Sequence, residues 1–199
     1  AEGNQRTLMK HFGDWPPPRS AKSTAVKPVS AKVKTEVIDR HHSALPDKVR
    51  TYLHDRGITD EQISDAKLGY GKFYGHHWIT IPVKDSAGNW SFLKLRQDPS
   101  DSTNADKYKF SPIGSSAAIY NIEALKGNND FVVICEGEFD CLVLQTQGIP
   151  AITSTAGAGT FKDEWISHLK NLQRVYIAFD NDDAGHKGLE RLASKLAER

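Results

Sequence analysis

The sequence predicts an α+β N-terminal subdomain followed by an α/β domain in which helices flank a parallel sheet. Apolar residues recur at every second position between residues 78 and 96, which is typical of an antiparallel hairpin. From residue 131 onward, short β-branched and aromatic runs alternate with helical patterns, and this order is typical of a parallel sheet covered by helices. A chain of 199 residues with 38% hydrophobic residues can bury a core of this kind.

Residues 1–40 are predicted to form a flexible basic linker. They contain a proline triplet at 16–18 and then mainly Ser, Ala, Lys and Thr, a composition that buries too little apolar surface to fold alone. The segment carries eight Lys or Arg against four Asp or Glu, whereas residues 41–199 carry 18 against 21. This basic leader is compatible with a nucleic-acid tether, and equally with a solvated linker that binds nothing.

The predicted N-terminal subdomain covers residues 41–125. Helical periodicity predicts helices over residues 46–57 and 59–66, the first of them ended by Gly57. The hairpin follows, with a first strand over 78–84, a turn at 85–88 and a second strand over 89–96.

One face of the second hairpin strand is predicted to be cationic, because Phe92, Lys94 and Arg96 point to the same side. Further basic and aromatic residues follow at 107–110. Cations that hold phosphates, together with rings that stack on bases, are typical of single-stranded nucleic-acid binding. The alternative interpretation is the solvated side of an ordinary antiparallel sheet.

The predicted C-terminal domain covers residues 126–199. Strands are predicted over residues 131–135, 150–153 and 174–179, and helices over 138–147, 163–172 and from 184 onward. The last helical pattern runs to Arg199 without a glycine or proline stop, so we expect the natural protein to be longer.

Carboxylates stand directly behind two of these strands. Glu136, Glu138 and Asp140 follow the first strand, and Asp180 and Asp182 follow the last. Because parallel strands end at the same edge of a sheet, we expect these acids to converge on one small volume. Carboxylates packed that closely repel one another unless a cation lies between them, and Mg²⁺ or Mn²⁺ prefers such oxygen ligands.

A second interpretation assigns these acids to helix caps and turns. Asp182 or Asp183 could cap the helix that begins near residue 184, and Glu138 could lie in the first turn of a helix, where the helix dipole favours a negative charge. Any single acid is explained well in this way. The placement of acids behind two strands favours the metal site.

The two acidic motifs, EGEFD at 136–140 and FDNDDAG at 179–185, resemble the TOPRIM domain shared by DnaG-type primases, topoisomerases and some nucleases. Short upstream motifs resemble, in the same order, the N-terminal subdomain of the DnaG-type primase catalytic core. They are YLHDRGI at 52–58, KLGY at 67–70, ITIPV at 79–83, LKLR at 93–96, KY at 107–108 and IY at 119–120. The loop at 154–159 is similar to that of the phage and plasmid primases or primase-helicases.

The resemblance implies a DNA-directed nucleotidyltransferase, a primase that makes short RNA primers on single-stranded DNA. It implies catalytic roles for Glu136, Asp180 and Asp182, and a site for two Mg²⁺ or Mn²⁺ ions held by those three residues and Asp140. It matches Arg96 and Lys107 to basic residues that hold template or nucleotide. With the basic and aromatic pattern, the candidate nucleotide- and template-binding residues are Lys94, Arg96, Lys107, Tyr108, Lys109, Gly137 and Lys187.

The expected partners are single-stranded DNA, ribonucleoside triphosphates and a replicative helicase. No zinc is expected in this fragment, because its only cysteines are Cys135 and Cys141, which we interpret as reduced thiols. No apolar stretch approaches the roughly 20 residues of a membrane span, and no secretory signal is present. We therefore expect a cytoplasmic protein encoded by a bacterium, phage, plasmid or other mobile element.

Two alternative functions remain open from the sequence. A TOPRIM nuclease or topoisomerase would use the same metals to cleave DNA. An inactive single-stranded-DNA-binding module of a primase-helicase would keep the fold without the chemistry. The presence of all four acids favours an enzyme.

Overall fold

The computed structural model describes residues 32–197, so most of the predicted linker, residues 1–31, lies outside the described residues. The described chain contains two four-stranded sheets, one antiparallel and one mostly parallel. Helices pack against both sheets, which confirms the predicted fold class.

Three helices precede the first strand: α1 at Thr35–Ser43, α2 at Asp47–Asp55 and α3 at Asp60–Asp65. Helices α2 and α3 confirm the predicted pair. Helix α1 was not predicted, and the linker prediction is wrong for residues 35–40. A nine-residue helix with a single buried side chain, Ile38, leaves little periodicity in a sequence, and this helix is stabilised by packing on the first sheet.

The first sheet has the order β1-β2-β3-β4 and consists of β1 at Gly69–Phe73, β2 at His76–Lys84, β3 at Trp90–Gln97 and β4 at Tyr108–Ser111. The β2–β3 pair is the predicted hairpin. Helix α1 lies directly on β1, because a Cβ atom at Gly69 would be 2.6 Å from the carbonyl carbon of His41. Only glycine permits this approach.

Both faces of the first sheet are covered. Ile38 of α1 covers one face, in a cluster with Trp78, Leu93 and Leu95. The other face carries Phe92 and joins the main core. The alternative interpretation of this face of β3 as the solvated side of an ordinary sheet is wrong at Phe92 and Lys94, which are 3% and 5% exposed. The C-terminal part of the chain packs on that face and buries both side chains.

The second sheet has the order β5-β7-β6-β8. Its strands are β5 at Ile119–Tyr120, β6 at Phe131–Cys135, β7 at Ala151–Ser154 and β8 at Arg174–Ala178. Strand β6 pairs in parallel with both β7 and β8, as the alternating pattern predicts. Strand β5 pairs with β7 in the antiparallel sense and lies on the N-terminal side of the predicted domain boundary at 125/126. That boundary stays a prediction.

Three α-helices accompany the second sheet: α4 at Glu138–Thr146, α5 at Asp163–Ile166 and α6 at Asp183–Ala197. The main core is continuous between the two halves, because Leu53 and Ile81 belong to the same buried cluster as Phe139 and Leu142. Within residues 32–197, no helix is both long enough and apolar enough to span a bilayer.

Candidate functional site

A cleft of about 570 Å³ lies between β3 and β4 of the first sheet and the edge of the second sheet at which β6 and β8 end. One wall is basic and aromatic, and the opposite wall is acidic. The basic wall consists of Arg56, Arg96, Lys107, Tyr108 and Lys109, and the acidic wall consists of Glu136, Asp140 and Asp180. Lys94 and Glu138, which bind each other, line the cleft between the two walls.

Glu136 and Asp180 lie together because their strands are parallel neighbours. Strand β6 ends at Cys135, which lies opposite Ala178 at the end of β8. A carboxylate oxygen of Glu136 accepts a hydrogen bond of 3.0 Å from the backbone N–H of Asp180. The structure thus brings acids from two separate strands to one edge of the sheet.

The other two predicted metal ligands are placed differently. Asp140 lies in the first turn of α4, lines the cleft and accepts a 3.0 Å hydrogen bond from the N–H of Gly137. Asp182 does not line the cleft. Its Oδ1 accepts a 2.8 Å hydrogen bond from the N–H of Gly185 at the start of α6, which is the capping role that the alternative interpretation gave it.

The donor set of the acidic wall fits a hard divalent cation. Glu136, Asp140 and Asp180 offer carboxylate oxygens in an open cleft, and Mg²⁺ and Mn²⁺ are commonly bound by few carboxylates with water completing the shell. In the part of the chain that the structure describes, no three His, Cys, Asp or Glu side chains form a group that could hold a metal ion. Water and substrate oxygens would have to supply the remaining ligands.

Arg96 is the central cation of the basic wall. Its guanidinium donates hydrogen bonds to the hydroxyls of Tyr108, at 2.8 Å, and Tyr52, at 3.3 Å. It also lies 4.4 Å from the centroid of the Phe139 ring. Among residues 32–197 it makes no ion pair, so its positive charge is not neutralised by a carboxylate.

Tyr108 presents an aromatic surface beside these cations, and its side chain is 40% exposed. The cationic groups of Lys94, Arg96 and Lys107 lie 4.6, 5.5 and 5.8 Å from its ring centroid. Lys109 also lines the cleft, but its ammonium forms an ion pair of 2.6 Å with Asp106. Among residues 32–197, Arg96 and Lys107 make no ion pair. Together with the exposed ring, these two cations are suited to a base with its phosphates.

Lys94 forms a buried ion pair with Glu138. Its Nζ lies 2.7 Å from both carboxylate oxygens of Glu138, and the two side chains are 7% and 3% exposed. The ammonium is therefore neutralised by a protein carboxylate, and this position does not support a direct role in binding phosphate. Burial raises the pKa of Glu138, and the Lys94 charge and hydrogen bonds oppose that rise.

Of the remaining two candidates, Gly137 lies at the cleft and Lys187 does not. Lys187 is exposed on α6 and is not part of the cleft lining, so its position does not support contact with nucleotide or template. Gly137 does line the cleft, but its N–H is occupied by Asp140. Close approach of a substrate to the Gly137 backbone stays a prediction.

Asp98 is a buried acid that sequence reasoning missed. It is 2% exposed and accepts hydrogen bonds from the Tyr70 hydroxyl, from the N–H and hydroxyl of Ser100 and from Lys48. This network ties the start of the loop between β3 and β4 to β1. Because Lys107 and Tyr108 follow that loop, Asp98 helps to position the basic wall. No local sequence signal distinguishes Asp98 from the other acids of its polar loop.

Replacing Asp98 with asparagine is expected to remove a pH-dependent part of the stability. Burial alone would raise the pKa of Asp98, but the hydrogen bonds from Tyr70, Ser100 and Lys48 outweigh it and lower the pKa to about 2. Because the pKa of Asp98 is lower in the folded protein than in the unfolded chain, the carboxylate stabilises the fold above pH 3.8, its pKa in the unfolded chain. This stabilisation is lost as the pH falls toward 2. The wild-type protein should lose on the order of 2 kcal/mol from this group over that range.

Urea unfolding at several pH values between 7 and 2.5 measures this effect. The asparagine variant should have a lower free energy of unfolding than the wild-type protein at neutral pH. This difference in free energy should become smaller as the pH falls. Tyr70→Phe, which removes one donor to Asp98, should give an intermediate result. The same difference in free energy of unfolding at every pH would contradict a lowered pKa at Asp98.

Comparisons with known proteins agree with this geometry. Residues 133–199 match the family model described as Toprim-like. The DNA primase of Chlamydia pneumoniae is 24% identical in an alignment of 172 residues that covers 79% of this chain and 28% of that protein. The chain thus spans less than a third of the length of that curated primase.

Solved structures show the same fold. The Aquifex aeolicus primase, in its zinc-binding and RNA polymerase domains, matches with a TM-score of 0.66 and 22% identity over 81% of this chain and 50% of that one. The primase fragment of the bacteriophage T7 primase-helicase matches with a TM-score of 0.64 and 24% identity over 85% and 67%. The predicted resemblance to TOPRIM-containing DnaG-type primase cores is therefore confirmed, and the fold is common to bacterial and phage enzymes.

Proposed function

We propose that this chain, which has the fold of a DnaG-type primase core, is a catalytic part of a DNA primase. Its reaction would be metal-dependent, template-directed synthesis of short RNA primers on single-stranded DNA. The observation that carries the proposal is the single cleft in which Glu136 and Asp180, from two parallel strands, face Arg96, Lys107 and Tyr108.

Primer synthesis joins the α-phosphate of a ribonucleotide to a 3′-hydroxyl, and pyrophosphate leaves. Two Mg²⁺ or Mn²⁺ ions, when bound, would neutralise the phosphates and lower the pKa of the attacking hydroxyl. Glu136, Asp140 and Asp180 line the cleft and would hold these ions. Asp182 lies outside the cleft lining and stays a predicted ligand, for which the carboxylate oxygen that Gly185 does not use would be free.

The basic wall would bind the polyanionic substrates. Arg96 is held in a fixed orientation by two tyrosine hydroxyls and by the Phe139 ring, so its guanidinium is preorganised for phosphate. Lys107 would add a second unpaired cation, and the exposed ring of Tyr108 would stack on a base. Together these side chains would hold template and nucleotide opposite the acids.

Structural neighbours support these partners. One is a DnaG primase catalytic domain bound to single-stranded DNA. Another is the bacteriophage T7 lagging-strand DNA polymerase interacting with primase domains of two gp4 subunits bound to an RNA/DNA hybrid and dTTP. The match to a primase-helicase fragment favours a replicative helicase as a further partner. We further propose that the protein acts in the cytoplasm, where such templates are replicated.

The direct test incubates the chain with labelled single-stranded DNA of varied sequence, ribonucleoside triphosphates and Mg²⁺ or Mn²⁺. A primase gives new RNA products that require both template and metal. A TOPRIM nuclease instead shortens the labelled DNA. Binding of the DNA without any product would indicate a binding module. Either shortened DNA or binding without product would refute the proposal.

A further inference from the structure

Two adjacent contacts join the first sheet to the start of α4, directly beneath the cleft. Lys94 of β3 binds Glu138, and Arg96 of the same strand lies over the ring of Phe139. Lys94 and Arg96 point to the same side of β3, while Glu138 and Phe139 are consecutive residues of α4. We call the Lys94–Glu138 pair and the Arg96–Phe139 contact the clamp.

The Lys94–Glu138 pair is unusual in its burial. Both carboxylate oxygens lie 2.7 Å from the ammonium, and both side chains are less than a tenth exposed. Removing two charges from water costs several kcal/mol for each ion, so such a pair is weak evidence for a role in stability alone. Its clearest property is geometric, because one short contact fixes the distance between two elements.

The sequence positions of the pair connect it to both walls of the cleft. Glu138 lies midway between Glu136 and Asp140, two acids of the acidic wall. Lys94 is two residues from Arg96, and its ammonium also lies 4.6 Å from the centroid of the Tyr108 ring. Any change in the length of the Lys94–Glu138 contact would therefore move the acids relative to Arg96 and Tyr108.

We propose that Lys94 and Glu138 are positioning residues, which set the spacing between the acidic wall and the basic wall without themselves touching the substrate. This inference rests on the proposed primase activity for its kinetic consequence. Glu138 would then have a role that differs from those of the acids proposed to bind metal and of the basic residues. It nevertheless lies within the same acidic motif as those acids.

The kinetic test compares Lys94→Met, Glu138→Gln and the double variant in primer synthesis. If the pair acts by positioning, each single change should lower kcat by about tenfold and change KM for the nucleotide by less than about twofold, because alignment is lost while the binding groups remain. The double variant should be no worse than the poorer single variant, since the interaction is already absent. Lys94→Arg, which keeps the charge, should retain more activity than Lys94→Met.

Direct phosphate binding by Lys94 gives a different pattern. Lys94→Met would then raise KM, and Glu138→Gln would leave kcat unchanged or increase the affinity for nucleotide because the ammonium is freed. That pattern would overturn the proposal. Melting temperatures of all variants separate loss of alignment from loss of fold, and Glu138→Gln, which preserves shape, remains informative if Lys94→Met does not fold.

A matched control is present on a different surface of the protein. Lys84 and Glu123 form an ion pair of 2.9 Å that lies outside the cleft lining and is 33% and 42% exposed. Lys84→Met and Glu123→Gln are expected to leave kcat and KM unchanged, because an exposed pair contributes little.

Mn²⁺ binding distinguishes a failure of this inference from a failure of the proposed function. The affinity of the wild-type chain for Mn²⁺ can be measured by electron paramagnetic resonance without any primer synthesis. Glu138→Gln and Lys94→Met should each weaken it by about threefold or more if the pair positions Glu136 and Asp140, whereas the control variants should not. If the wild-type chain binds Mn²⁺ and both variants bind it with the same affinity, the positioning role is refuted. This result holds even if no primers are made.

Discussion

Replacing Asp180 with alanine is expected to lower the rate of primer synthesis by at least about a hundredfold, the size of effect seen when one preorganised electrostatic group is removed from a reaction centre. Asp180 is exposed, lines the cleft and lies two residues after the end of β8. In the described structure its backbone N–H binds Glu136, and this contact survives the change to alanine. The loss therefore falls on the carboxylate and on the ion that it would hold.

The fold of this variant should be preserved, because surface substitutions usually change the free energy of unfolding by no more than about 0.5 kcal/mol. Primer yield, Mn²⁺ affinity and urea unfolding should be measured on the same preparation. Asp130→Asn is the matched control, since Asp130 lies just before the other end of β6 and its carboxylate binds Gln173 outside the cleft. Undiminished primer formation by Asp180→Ala would refute the assignment of this residue.

Replacing Gly185 with alanine is expected to have the second largest effect. A Cβ atom at this position would lie 2.0 Å from the carbonyl oxygen of Asp180 and 3.0 Å from its carbonyl carbon. Both neighbours are backbone atoms, so the turn that carries Asp180 must move. Overpacking of this kind costs about 1–3 kcal/mol, and displacement of a reactive group by about 1 Å can reduce a rate by up to about a hundredfold.

Gly185→Ala should therefore lose stability and primer synthesis together, with at least about a tenfold fall in kcat. Gly127→Ala is a suitable control, because its Cβ would contact only the flexible end of the Asn129 side chain, 3.2 Å away. Differential scanning calorimetry and the primer assay measure the two effects. A variant with wild-type kcat would show that the Asp180 turn tolerates displacement.

The sequence predicts the second sheet well because its strands are short, apolar and bounded by polar turns. The structure has β6 at Phe131–Cys135, as predicted, and β8 ends one residue before its predicted end. Glu136 and Asp180 also lie together as the parallel arrangement requires. In such a sheet, local pattern and topology are sufficient to bring particular side chains to one edge.

The environment of the cationic residues could not be predicted in the same way. The alternation in β3 shows that Phe92, Lys94 and Arg96 share a face, but it does not show what packs on that face. Glu138 is 44 residues away from Lys94 in the chain, and no local pattern connects them. Helix α1 was missed for a related reason, because it is stabilised by its contact with β1 more than by its own sequence.

Strand β8 is one of the two edge strands of the second sheet. Within the described part of the chain, its outer backbone groups have no neighbouring strand, and Tyr176 on this strand is 48% exposed. The unpaired backbone groups of such an edge strand can form hydrogen bonds with the same strand of another molecule. Concentrated samples are therefore expected to self-associate through β8. Kinetic and ion-binding experiments on the isolated chain should therefore be made in dilute solution, with light scattering to verify that single molecules are being observed.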